Sequence, residues 1–242
     1  MGFLFFIRPA LPIAPHILAA VLPAAYLLRY IYRHDTVEAE PPGLLASLLG
    51  LGVLAALLSA FLEGVAERIL DRVVWEDGPV YTILFAFLVV AAVEEGTKFL
   101  LMKWRTWRDP AFNYRFDAVI YAVFVSLGFA AFENIQYVLG YGLSVAIPRA
   151  LLSVPGHMAF GVFMGVFYGR AKILDSLGRP FASWCSLWAG YLVAVFLHGV
   201  YDACALSGSA LAMGIFLVFV LLMFAGAYRT IHRESARDMR VS

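Results

Sequence analysis

Seven long apolar segments account for most of this sequence, and they restrict its possible folds more than any other feature. A helix needs about 20 mostly apolar residues to cross the hydrocarbon core of a bilayer, and each segment comes close to that length. Lipid offers no hydrogen bonds to the backbone, so these segments must cross as helices. The sequence therefore predicts an all-α, polytopic transmembrane helix bundle of about seven spans. The predicted spans are Pro15–Ile31, Leu44–Gly64, Val80–Met102, Phe116–Leu139, Pro148–Gly169, Ser183–Leu206 and Ser209–Tyr228.

The composition supports this interpretation. Of the 242 residues, 62% are hydrophobic and 14% are charged, whereas a soluble domain has about 45–50% and about 25%. The formal net charge is only +1, and no basic patch suggests binding to nucleic acid. We therefore predict a multi-pass integral protein of the cell membrane, with the lipid bilayer as a partner and no nucleic acid.

The basic residues predict an orientation. With the N-terminus outside, thirteen lysines and arginines fall in the inner loops and tail, and four fall in the outer segments. Positive residues accumulate in the loops on the cytoplasmic side. We expect the N-terminus outside and the C-terminus inside, which an even number of spans would not allow.

The domain organisation is simple. We predict a single integral membrane domain over residues 1–242, with a motif-bearing core over about 80–206. Residues 65–78 form the longest polar stretch and are expected to make an interfacial helix continuing the second span. Ile69, Val73 and Trp75 are its candidate membrane anchors.

The third predicted span contains two adjacent carboxylates and a lysine, at Glu94, Glu95 and Lys98. An isolated charge at the centre of a span costs at least about 2.5–3.5 kcal/mol, so such residues face a bundle interior or a wet cavity and are functional candidates. Glu94 and Lys98 are four residues apart, which allows an ion pair along the helix. Glu95 points about 100° away from Glu94, and we expect it to lack a local partner. A lone carboxylate of this kind can serve as a general base.

Two histidines lie inside later spans. His157 begins a series of three glycines spaced one helical turn apart, a pattern that brings another helix backbone close and places His157 on a packed face. His198 is four residues before Asp202, a spacing that lets a carboxylate fix the tautomer of an imidazole. The glycines are Gly161, Gly165 and Gly169.

Glu133 lies in the fourth span, with Tyr137 one turn further on. Counted at 1.5 Å per residue from the inner face, Glu133, His157 and His198 lie about 20–25 Å deep, and Glu95 lies about 10–14 Å deep. Helix tilt could bring these four groups together in the region between the middle of the membrane and its outer third. The alternative for Glu133 is a hydrogen-bond cluster at the outer rim. We also expect Asp117, near the inner face, to pair with Lys98.

Several hydrolytic sites are excluded by the sequence. The chain has no His-Glu-x-x-His zinc motif and no Gly-x-Ser-x-Gly serine motif. Asp117 and Asp202 belong to opposite faces of the membrane, so they cannot form an aspartyl dyad. The hydrolytic scheme that remains is a water activated by a glutamate, with histidines that either polarise the substrate carbonyl or hold a metal.

Three other functions are compatible with these residues. Intramembrane Glu, Lys and His also form relays in proton- or cation-coupled transporters, although no inverted repeat relates the two halves. A haem-binding electron carrier could use His157 and His198 as axial ligands. A scaffold in which the charges only pair helices is the third alternative.

The order and spacing of five motifs resemble those of the PrsW family of intramembrane proteases and, more distantly, of the CAAX prenyl endopeptidase superfamily. The resemblance covers about Val80 to Asp202. Two departures from the superfamily are Lys98, one place earlier than its arginine, and Glu133, in a motif that it lacks. The motifs are Glu94-Glu95-x-x-Lys98, Phe116-Asp117-x-x-x-Tyr121-Ala122, Gly128-x-x-x-Phe132-Glu133-Asn134-x-x-Tyr137, His157 and His198-x-x-x-Asp202.

The resemblance implies an intramembrane endopeptidase that cleaves membrane-anchored or membrane-proximal substrates, such as a single-span signalling protein of the anti-sigma factor kind. By position, Glu95 would be the base and Glu94 its support. His157 and His198 would be oxyanion or metal contacts, and Asp202 would orient His198.

The resemblance leaves the need for a metal open. Glu133, His157 and His198 offer the nitrogen and carboxylate donors of a three-ligand zinc site with an open position. The alternative is a glutamate-activated water without a metal.

Overall fold

The structure is a computed structural model that describes residues 13–74 and 78–241. Within these ranges the chain forms seven long helices, and the only β-type contact is an isolated bridge between Tyr114 and Arg240. Each predicted span lies mainly within one helix, which confirms the all-helical membrane bundle. The helices are α1 (Ile13–Tyr32), α2 (Pro42–Val73), α3 (79–106), α4 (Asp117–Tyr141), α5 (Leu143–Ser176), α6 (Pro180–Leu206) and α7 (Ala210–Ala236).

Six of these helices are long and apolar enough to cross a membrane. The seventh is α3, which carries Glu94, Glu95 and Lys98. It begins as an α-helix at Pro79–Leu84, widens into a π-helix at Phe85–Ala91 and continues as an α-helix over Ala92–Thr106. π-Helical turns inside α-helices are frequent at functional sites, and this one directly precedes the two carboxylates.

Helix α4 lies at the centre of the bundle. Of its most apolar 18 residues 78% are buried, compared with 17% in α1 and 22% in α7. A helix that is apolar on every face is stable only when protein or lipid surrounds it. The difference in burial therefore places α4 among other helices and leaves most of α1 and α7 to face lipid.

The predicted glycine series of α5 packs against α4. A Cβ atom built on Gly161 would lie 2.7 Å from the Oγ of Ser126, and one on Gly169 would lie 2.7 Å from the backbone oxygen of Arg115. No side chain larger than hydrogen fits such distances without movement. The packed face predicted for His157 is thus confirmed, and it faces α4.

Residues 65–78 continue the second span only in part. Helix α2 runs without interruption to Val73, and both Ile69 and Val73 are exposed. Trp75 lies outside the described residues. The interfacial position of this segment stays a prediction.

Candidate active site

Four of the predicted site residues meet in one buried cluster. Glu94 and Glu95 come from α3, His157 from α5 and His198 from α6, and one ligand-type atom of each lies within 4.8 Å of all the others. Their exposed fractions are 5%, 0%, 4% and 4%. The cluster is therefore built by three helices and is closed off from the outer surface of the bundle.

Lys98 sits within this cluster. Its Nζ donates to Oε1 of Glu95 at 2.8 Å and to Oε2 of Glu94 at 3.1 Å. It also lies 3.1 Å from Nδ1 of His157 and 3.8 Å from the centre of the Phe129 ring. The predicted Glu94–Lys98 pair is confirmed. The expectation that Glu95 lacks a local partner is wrong, because the flexible lysine side chain reaches both carboxylates.

Glu95 uses its two oxygens differently. Oε1 lies 3.0 Å from Nδ1 of His198 in addition to Lys98. Oε2 is buried and has no hydrogen-bond partner; among the described residues, only three other buried side-chain atoms share that condition, and none belongs to this cluster. One oxygen of Glu95 is thus held in place, and the other has an open acceptor position.

The contact between Glu95 and His198 corrects the depth estimate. The sequence count places Glu95 about 10 Å nearer the inner face than His198, starting from an inner helix end at Met102–Trp104. Helix α3 continues to Thr106, which adds about 3–6 Å at 1.5 Å per residue. Helix α6 also begins earlier than predicted, at Pro180, which adds about 4.5 Å to the depth of His198. The helix ends therefore leave the difference unchanged, and the contact depends on how α3 and α6 are tilted and offset.

His198 lies between two carboxylates. Its Nδ1 faces Glu95, and its Nε2 lies 3.3 Å from Oδ2 of Asp202, the residue four positions later. The ring of Phe160 stacks on the imidazole with centroids 4.7 Å apart. The ring is therefore fixed at both nitrogens and on one face, and Asp202 stands where a residue that orients His198 would stand.

Glu133 lies beside the cluster and is not one of its four members. Its Oε2 is 3.1 Å from Nε2 of His157 and 2.8 Å from Nη2 of Arg149. Of the three residues predicted as zinc ligands, His157 and His198 belong to the four-residue group and Glu133 does not. In the structure Glu133 supports His157 from the side away from Lys98.

Asp117 does not pair with Lys98. It accepts hydrogen bonds from the backbone nitrogens of Asn113, at 3.0 Å, and Tyr114, at 2.7 Å. A carboxylate in the first turn of a helix commonly satisfies free backbone N–H groups nearby. Asn113 and Tyr114 precede α4, so Asp117 holds the loop before the helix instead of forming the expected ion pair.

Two residues near the site are not predicted from the sequence. Glu63 of α2 interacts electrostatically with Glu94 and Glu133, and Arg149 binds Glu133 directly. In the sequence, Glu63 lies at the end of the second predicted span, and Arg149 is one of the four basic residues in the outer segments. The available signal was a charged residue inside or next to an apolar segment.

Carboxylates and imidazoles buried together inside a bundle of membrane-spanning helices are the groups that a hydrolase working within the bilayer needs. Such groups accept and donate protons or bind a divalent metal, and burial keeps them away from bulk water. The arrangement is that of an intramembrane hydrolase site, with or without a metal.

Comparison with known proteins gives the family. Residues 40–227 match the family described as PrsW family intramembrane metalloprotease. Similar proteins named Protease PrsW occur in Geobacillus kaustophilus (38% identity over 186 residues, 76% of either chain) and Oceanobacillus iheyensis (30% identity over 213 residues, 87% of this chain and 92% of the relative). A third, from Bacillus subtilis, is 32% identical over 204 residues, 84% of this chain and 88% of the relative. No solved structure matches the chain.

The chain belongs to the PrsW family. It is an intramembrane protease and a multi-pass integral membrane protein, and the resemblance seen in its motifs is confirmed. Its substrates are proteins of the membrane.

Proposed function

We propose that Glu95 is the general base that activates the hydrolytic water. The observation that carries this proposal is the free Oε2 of Glu95, buried in the cluster while Oε1 is held by Lys98 and His198. A base must present an oxygen within hydrogen-bond reach of the proton that it takes. Because two donors fix the carboxylate, Oε2 has a defined direction and one open acceptor position.

In the proposed reaction, the oxygen of water adds to the carbonyl carbon of the scissile peptide bond, and one of its protons passes to Oε2 of Glu95. The C–N bond then breaks, and the proton moves from Glu95 to the leaving amine. Lys98 balances the charge around the base, with its Nζ 2.8 Å from Oε1 of Glu95 and 3.1 Å from Oε2 of Glu94. His198, held at Nε2 by Asp202, would shift its Nδ1–H hydrogen bond from Oε1 of Glu95 to the carbonyl oxygen as negative charge develops there.

The donor set fits a divalent metal. Glu94, His157 and His198 would hold the ion, which is the two-histidine and one-carboxylate combination typical of catalytic zinc. Nδ1 of His157 would then exchange its contact with Lys98, and Nδ1 of His198 its contact with Glu95, for the ion. The fit rests on the group of ligand atoms within 4.8 Å and on the unpartnered Oε2 of Glu95 next to them. When bound, such an ion polarises a carbonyl and makes a water more acidic. This proposal keeps the two predicted histidines and replaces Glu133 by Glu94.

The proposed substrates are single-span signalling proteins, of which anti-sigma factors are one kind. The cluster lies among α3, α5 and α6 rather than in a loop outside the bundle, so the scissile bond must enter the membrane domain. Such a segment must leave its helical conformation there, because a helix hides its carbonyl carbons behind its own hydrogen bonds.

Cleavage of a confirmed substrate in proteoliposomes tests the proposed base. Glu95→Gln keeps the size of the side chain but removes the base, and we expect a loss of about 10²–10⁴-fold in rate. Glu38→Gln, in the exposed loop between α1 and α2, is the matched control and should cleave normally. A folded Glu95→Gln variant that cleaves as fast as the wild type would falsify the role of Glu95.

The metal is tested separately by elemental analysis of chain purified without chelator. We expect about one zinc per chain, lost in His157→Ala and in His198→Ala. A folded sample without a divalent metal would remove the metal from the mechanism and leave the Glu95-activated water.

A further inference from the structure

Arg149 and His157 contact the same oxygen atom. Nη2 of Arg149 lies 2.8 Å, and Nε2 of His157 lies 3.1 Å, from Oε2 of Glu133. Both residues belong to α5, whereas Glu133 belongs to α4. Two groups on one helix thus hold one carboxylate of its neighbour.

A π-helical segment makes this joint contact possible. Arg149 and His157 are eight residues apart, which in a regular α-helix of 3.6 residues per turn leaves them about 80° out of line. Arg149–Ser153 is a π-helix, and its wider i→i+5 turn holds about one residue more. The same eight residues then complete about two turns, and both side chains fall on the face that meets Glu133.

Arg149 is itself fixed on several sides. Its Nε donates to Oδ1 of Asn134 at 2.8 Å, and its guanidinium lies 3.8 Å from the centre of the Tyr137 ring. Asn134 in turn donates through Nδ2 to the backbone oxygen of Ala20 in α1, at 2.7 Å. The guanidinium is therefore a rigid support, since its planar fork and its stacked face are both engaged.

The contacts of His157 determine which ring nitrogen carries the proton. A carboxylate only accepts, so Nε2 donates to Glu133; an ammonium only donates, so Nδ1 accepts from Lys98. The tautomer that satisfies both contacts has Nε2 protonated and directs the lone pair of Nδ1 into the cluster of Glu94, Glu95 and His198.

We propose that Arg149 is a positioning residue, which holds Glu133 against His157 and so keeps the His157 lone pair directed into the site. The proposal rests on the proposed function, in which His157 works through that lone pair. Arg149 acts only through Glu133, and it touches neither the water nor the base.

The test is ¹⁵N NMR of the imidazole rings in the full-length chain, labelled at histidine and purified in detergent micelles. Two-bond nitrogen–proton correlations distinguish a protonated from an unprotonated ring nitrogen, and His157→Gln assigns the signal among the five histidines. We expect His157 of the wild type to be protonated at Nε2 alone. In Arg149→Met this single pattern should be lost, with signals of both tautomers in its place.

Three further variants complete the design. Arg149→Lys keeps a positive charge for Glu133 but lacks the guanidinium nitrogen that donates to Asn134. It should keep part of the wild-type pattern that Arg149→Met loses. Arg170→Met changes an exposed arginine of the same helix and should leave His157 unchanged. Glu133→Leu should cause the same loss as Arg149→Met, and combining the two substitutions should add nothing.

An unchanged His157 pattern in Arg149→Met, or protonation at Nδ1 in the wild type, would overturn the proposal. So would a double variant with a larger change than Glu133→Leu alone. If Arg149→Met does not fold, Arg149→Lys and Glu133→Leu still give the decisive comparison. The measurement needs neither metal nor substrate, so failure of the Glu95 mechanism would show in the cleavage assay and not here.

Discussion

Replacing Gly165 by alanine tests how strongly the packing of α5 on α4 determines the site. A Cβ atom on Gly165 would lie 2.6 Å from Cα of Val119 and 2.8 Å from the backbone oxygen of Ala118, whereas ordinary contact begins at 3.4 Å. The atoms in the way belong to the backbone and cannot rotate aside. The two helices must therefore separate locally by about 0.8 Å.

Both stability and site geometry should respond. Overpacking of this kind costs about 1–3 kcal/mol, while alanine in place of glycine within a helix contributes about 1 kcal/mol in the opposite direction. Gly50→Ala measures that second effect alone, because nothing lies within 4 Å of the added atom. Relative to Gly50→Ala, we expect Gly165→Ala to be about 1–3 kcal/mol less stable. His157 is on the same helix, and its 3.1 Å contact with Glu133 should lengthen.

The assay is equilibrium unfolding in mixed micelles, followed by circular dichroism, for the wild type and both variants. The His157 tautomer, read by the ¹⁵N measurement, reports on the site. Equal stability of Gly165→Ala and Gly50→Ala, with an unchanged tautomer, would refute the claim that close packing of α4 and α5 sets this geometry.

Two further predictions concern buried charge. Lys98→Met removes the cation that pairs with Glu94 and Glu95, and breaking a buried ion pair costs about 3–5 kcal/mol. In chelator, the thermal midpoint of the variant should lie below that of the wild type. Added zinc should raise the midpoint of the variant more than that of the wild type. A midpoint equal to the wild type in chelator would contradict this. Glu40 lies outside the spans, and burial raises its pKa from 4.5 to about 7. Between these two pH values the folded state keeps a proton that the unfolded chain releases. The free energy of unfolding should therefore fall as the pH rises through that interval. Glu40→Gln should reduce this dependence in unfolding curves at pH 5 and 8, and an unchanged slope would argue against Glu40 as its source.

The membrane bundle could be predicted from the sequence because the bilayer imposes one length and one backbone structure on every apolar span. Pairs within one helix were also predictable, since a regular rise and turn fix them: Glu94 with Lys98, and His198 with Asp202. The glycine series of α5 indicated a packed face for the same reason.

Contacts between helices could not be read from the sequence. The count along α3 placed Glu95 too near the inner face and without a partner, although the side chain meets both Lys98 and His198. The position of Glu133 beside Arg149 depends on a π-helical turn that no pattern in the sequence indicates.

The sequence by itself determined the class of fold, the residues able to do acid–base chemistry and their order along the chain, because these depend on composition and on the local geometry of a single helix. Only the tertiary structure decided that Glu94, Glu95, His157 and His198 form one cluster, that Lys98 lies among them and that Glu133 stands beside it. The physical reason is that helix offsets and crossings depend on close backbone packing and on single wide turns. A shift of a few ångströms in either decides which side chains touch.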